Sequence, residues 1–89
     1  MNVEYAFDSI KTFIDDHDAL FEIKMTLPNN RVMNVIVSRI GKQTYLVTVW
    51  YGGKRKSHYI PRYMIHRYLN QLISNMKPSR VIVDDLRRE

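Results

Sequence analysis

The chain has 89 residues, of which 45% are apolar and 26% charged, a composition that fits one globular domain over 1–89 and excludes a disordered or linker-like chain. It has no cysteine, which excludes disulfides, thiolate nucleophiles and cysteine zinc sites. No apolar run approaches the ~20 residues of a bilayer span, and the formal charge of +5 directs attention to polyanionic partners.

Residues 3–16 predict an amphipathic helix. Val3, Phe7, Ile10 and Ile14 recur at helical spacing, Ala6 and Phe13 widen the stripe, and Asn2 suits the N-cap. The opposite face carries Glu4, Asp8, Thr12 and Asp15, and acids near the C-terminal end oppose the helix dipole. In residues 20–27, Phe21, Ile23, Met25 and Leu27 alternate with Glu22, Lys24 and Thr26, the pattern of a half-buried strand. Pro28-Asn29-Asn30 supplies turn chemistry. Residues 31–40 read as a second strand with two apolar faces, Gly41-Lys42 as a turn, and residues 43–51 as a third strand rich in β-branched and aromatic residues. Gly52-Gly53 is a hairpin signal, so residues 54–59 are either a fourth strand or a basic loop. Pro61 fits the first position of a second helix over 61–76, with Ile65, Leu69, Leu72, Ile73 and Met76 as its apolar stripe. Residues 80–83 predict a short strand that returns to the sheet edge or pairs with a second chain, and 84–89 a frayed charged tail. The fold class is α+β: a helix, a three- or four-stranded antiparallel sheet, a second helix and a short last strand, with both helices on one face.

The charge is segregated. Residues 1–30 hold six acids and two bases, whereas residues 31–80 hold ten bases and no acid. The richest stretch runs from Trp50 to Tyr63, where Lys54, Arg55, Lys56 and Arg62 are interleaved with Trp50, Tyr51, Tyr59 and Tyr63. Cationic side chains neutralise phosphates and release counterions, and aromatic rings stack on bases. A helix N-terminus directly after the cluster adds amide donors for an anion. The outward face predicted for the second helix adds Arg67 and Asn70, with His66 beside them. The same cluster also fits a solvated hairpin tip whose bases guard a sheet edge, with tyrosines packing across strands. Asp15-Asp16-His17-Asp18 lacks the spacing of a cation site and reads as a polar loop. No Ser-His-Asp order, Walker loop or H-E-x-x-H motif occurs.

The order α-β-β-β-α with Lys54-Arg55-Lys56 ahead of the last helix resembles the double-stranded-RNA-binding domain over residues 3–76. The likeness is one of order and of that single cluster. Pro28-Asn29-Asn30 stands where that family carries a Gly-Pro/His element, Tyr59-Ile60-Pro61 separate the basic cluster from the helix, and the last strand has no counterpart. The resemblance places duplex RNA or DNA among the ligands.

The sequence thus predicts a small, non-enzymatic nucleic-acid-binding protein of cytoplasmic type without metal or cofactor, for DNA before RNA. Its expected contacts are Arg39, Lys42, Tyr51, Lys54, Arg55, Lys56, His58, Tyr59, Arg62, Tyr63, Arg67 and Asn70. By association such chains suit an accessory or regulatory role of the kind phages and mobile elements encode. The alternative is an interaction module or inhibitor that docks this basic aromatic surface on an acidic protein, or that self-associates through an edge strand or its segregated charges.

Overall fold

The computed structural model describes residues 3–87; the expected N-cap Asn2 lies outside the described residues. The elements are α1 (Val3–Ile14), β1 (Leu20–Thr26), β2 (Val32–Arg39), β3 (Thr44–Tyr51), β4 (Lys54–Pro61), α2 (Arg62–Met76) and β5 (Arg80–Asp85). The five strands form one antiparallel sheet in the order β4-β3-β2-β1-β5. The fold is therefore α+β, with five strands. The α-β-β-β-α order is not retained: a fourth strand, β4, stands between β3 and α2, and β5 completes the opposite edge.

Alternation along each strand sends one set of side chains to a single core. Phe21, Ile23 and Met25, then Met33, Val35 and Val37, then Tyr45 and Val47, and finally Val81 meet Ala6, Ile10 and Ile14 of α1 and Ile65, Leu69 and Ile73 of α2. Both helices thus cover the same face. The core face of β2, open in the sequence, is the one carrying Met33, Val35 and Val37. Among the described residues no helix covers the opposite face of the sheet. α1 lies against β5 and α2 against β3 and β4, so α2 carries the chain from one sheet edge to the other.

Helix α1 stops at Ile14, two residues short of the predicted 3–16. The reason lies in where its last carbonyls go. The buried Tyr45 hydroxyl donates to the Ile14 carbonyl at 2.7 Å, and Arg39 Nη1 donates to the Asp16 carbonyl at 3.0 Å. The first donor satisfies the last helical carbonyl and the second holds the turn that follows, so Asp15, Asp16 and Asp18 lie beyond the helix. Helix α2 begins one residue later than predicted, because Pro61 is still extended (φ −63°, ψ 149°) and serves as N-cap. It ends at Lys77, whose left-handed backbone (φ 49°) brings its N–H to the Ile73 carbonyl at 3.2 Å. β5 runs on through Asp84 and Asp85, beyond the predicted 80–83, and the Leu86 N–H still bonds the Leu20 carbonyl at 2.9 Å. Arg87 closes this end with Asp85 at 2.7 Å and Asp16 at 2.9 Å. Among the described residues no helix is long and apolar enough to cross a membrane.

Candidate nucleic-acid interface

Residues 54–59 are strand, not loop. Gly52 and Gly53 both take positive φ, 60° and 76°, as a two-residue hairpin turn demands. A Cβ would meet nothing at either position, so glycine serves the backbone there and not a close approach. The turn pairs Tyr51 with Lys54 and sets the register through to Thr44 opposite Pro61. β4 is an edge strand and its side chains are exposed except at Ile60, which packs on the core. Its eight residues make a basic margin about 23 Å long that leads into α2.

The pleat splits the cluster. Lys54, Lys56 and His58 stand on the helix side, opposite Tyr51, Val49 and Val47. Arg55, Ser57 and Tyr59 stand on the uncovered face, opposite Trp50, Thr48 and Leu46. Arg55 and Lys56 therefore point to opposite sides of one sheet. On the uncovered face the Arg55 guanidinium lies 5.2 Å from the centre of the Trp50 ring, a cation–π pair, and the Thr48 and Ser57 hydroxyls are 3.1 Å apart. On the helix side, Lys54, Lys56 and His58 rim a groove of about 360 Å³ between β4 and α2, floored by Met33, Val49, Tyr51, Tyr68 and Leu72. Tyr51 thus faces an apolar groove and not open solvent. Burial raises the Tyr68 hydroxyl above its ordinary value, so that residue stays a neutral donor beside the cations.

The aromatic residues expected to touch a ligand differ sharply in access. Tyr63 is 85% exposed at the start of α2 and Tyr59 70% exposed on β4, against 43% for Trp50. Arg62, Arg67 and Asn70 are also exposed on α2, whose first turn holds no acid. The Arg62 N–H bonds the Gln43 carbonyl at 2.8 Å, which draws the β2–β3 turn, and with it the exposed Lys42, to the helix start. His66 is half-buried in a cleft with Phe7, Asp8, Lys11 and Asn70.

Arg39 sits apart from this surface in role. Its guanidinium donates to three backbone carbonyls, Asp16 at 3.0 Å, Gly41 at 3.1 Å and Lys42 at 2.9 Å, and it lies 5.7 Å from the centre of the Tyr45 ring. Its donors hold the β2–β3 turn and the end of α1 together. The groove floor is what the sequence reading missed. Leu72 belongs to the apolar stripe read from the sequence and Tyr68, one helical turn before it, lies beside that stripe, but their meeting with Lys54 and Lys56 needs the tertiary fold.

Among the described residues the ion pairs join Arg87 to Asp16 and Asp85, and none includes a base from residues 31–80. Glu22 accepts instead from Asn34 Nδ2 at 2.6 Å. The described residues contain no grouping of three or more His, Asp or Glu able to hold a metal ion. Compared with known proteins, the chain matches no family model, no curated protein and no solved structure.

Proposed function

We propose that the protein binds nucleic acid along the β4 edge and the start of α2, in an accessory or regulatory role, with DNA as the first ligand to test. The observation that carries the proposal is the run of exposed bases, Lys54, Arg55, Lys56, Arg62 and Arg67, none of which has a carboxylate partner among the described residues. Long flexible cations held apart from acids on one margin suit a polyphosphate, where each neutralised phosphate releases a counterion. A 23 Å margin spans about seven base pairs of duplex rise. Tyr59 and Tyr63 flank it with exposed rings for stacking on unpaired bases, and Arg67 and Asn70 continue the polar surface along α2. Affinity on this account comes mainly from phosphate contact and depends little on base sequence.

The groove beside β4 favours a second reading. An apolar floor under a cationic rim also suits a partner segment that carries an apolar anchor between acids. Fluorescence anisotropy separates the two. Labelled single- and double-stranded DNA and RNA are titrated at 50 and 200 mM salt. Six or more phosphate contacts weaken binding by about 10³-fold over that range. No binding at 50 mM salt removes the nucleic-acid reading in favour of an acidic protein partner.

A further inference from the structure

The two edges of the sheet are chemically opposite. β4 carries Lys54, Arg55 and Lys56 and no acid that could face them in a second copy, and Pro61 lacks an N–H for a ladder. β5 carries the sequence Arg80-Val81-Ile82-Val83-Asp84, which is its own complement when read backwards. We infer that two copies of the chain pair β5 with β5 antiparallel about a two-fold axis through Ile82, joining their sheets into one of ten strands.

The register follows from the backbone. The Leu86 N–H bonds the Leu20 carbonyl at 2.9 Å, in step with the pairing of Phe21 with Asp85. Antiparallel alternation then turns the backbone groups of Arg80, Ile82 and Asp84 toward β1 and those of Val81 and Val83 toward the free side. A two-fold axis normal to the sheet keeps the helices of both copies on one side. It also requires each residue to face a partner of the same parity. With the axis at Ile82, Val81 meets Val83 of the second copy in a hydrogen-bonding pair on the helix side. Arg80 meets Asp84 of the second copy, twice, in the closer non-bonded pairs on the uncovered face, with Ile82 against Ile82 between them. Arg80 and Asp84 are exposed, and Ile82 and Val83 are half-buried. A register moved by one parity-conserving step opposes Ile82 to Asp84 or Arg80 to Ile82, and forfeits both ion pairs. The dimer leaves both β4 margins free at the far ends of the joined sheet, and it does not depend on what those margins bind. One short strand buries little area, so the dimer is weak, with a dissociation constant on the order of micromolar.

Sedimentation velocity on the intact chain between about 5 and 500 μM tests the pairing. The expected result is a concentration-dependent rise to twice the monomer mass. Arg80→Glu places a carboxylate opposite Asp84, and Asp84→Arg a guanidinium opposite Arg80, so each variant alone weakens dimerisation by about 10- to 30-fold. An equimolar mixture of the two restores it, because both cross-axis pairs are then of opposite sign. The chain carrying both substitutions also self-associates like the natural one. Far-UV circular dichroism confirms that each variant is folded. A natural chain that stays monomeric at 500 μM, single variants that still dimerise, or a mixture that stays monomeric overturns the inference.

Discussion

Replacing Tyr45 by Phe removes one oxygen from the interior and tests how α1 is anchored. The side chain is fully buried, and its hydroxyl donates to the Ile14 carbonyl at 2.7 Å. Phenylalanine fills the same space, so no sizeable cavity opens. The cost is the lost bond together with a carbonyl left unpaired at the helix end, about 2 kcal/mol. For a domain of this size that lowers Tm by roughly 8–16 °C. Thermal and urea unfolding followed by circular dichroism measure it, with an unchanged urea slope showing that compactness is retained. The pH dependence gives an independent check. Burial raises the Tyr45 hydroxyl above its ordinary value, against the opposing pull of the Arg39 and Arg62 charges. The folded state therefore holds this proton more tightly than the unfolded chain does. That stability is complete below about pH 10 and is lost as pH rises through the folded value. Tyr45→Phe removes this part of the alkaline dependence. A variant within about 0.5 kcal/mol of the natural chain would refute the account of how α1 ends.

Arg39→Ala, which removes three side-chain bonds to carbonyls at the junction of α1 with the β2–β3 turn, lowers stability by about 2 kcal/mol in urea unfolding while nucleic-acid affinity, read by anisotropy, changes by less than about threefold. Lys77→Gly relieves a left-handed backbone at the C-cap of α2 and raises stability by about 0.5–1 kcal/mol in the same assay. The Asp85 carboxyl, held to about 2 by its hydrogen bonds from the Arg87 side chain and backbone, stabilises the fold above its unfolded value of 3.8 and loses that effect as pH falls toward 2. In Arg87→Ala a carboxyl titration followed by NMR returns Asp85 toward 3.8, and the acid dependence of stability between pH 4 and 2 shrinks.

Much of the fold was legible because it rests on short-range periodicity. Phe21, Ile23 and Met25 alternate in a way that only a half-buried strand satisfies, and Ile65, Leu69 and Ile73 repeat at the spacing of a helix. Gly52-Gly53 announced the hairpin by the dihedrals it needs. What the sequence left open depended on partners distant in the chain. Whether 54–59 was strand or loop hinged on β3 being there to pair with it, since a run of bases carries no hydrophobic alternation. The end of α1 hinged on Tyr45 and Arg39, which reach it from more than twenty residues away. The candidate surface was found as a composition, basic and aromatic, but its division between two faces could not be read before the strand was established. Arg39 shows the same limit. A base in a basic stretch looks like a phosphate contact until its donors are traced to three carbonyls.

The salt dependence of binding in a variant that changes only the helix-side rim of β4 tests the central claim most directly. Lys54→Glu with Lys56→Glu alters two exposed side chains and leaves the core untouched. The account predicts weaker binding to every nucleic-acid sequence alike, with the slope of log affinity against log salt lowered by about 2. An unchanged affinity and slope would place the phosphate contacts elsewhere and contradict it.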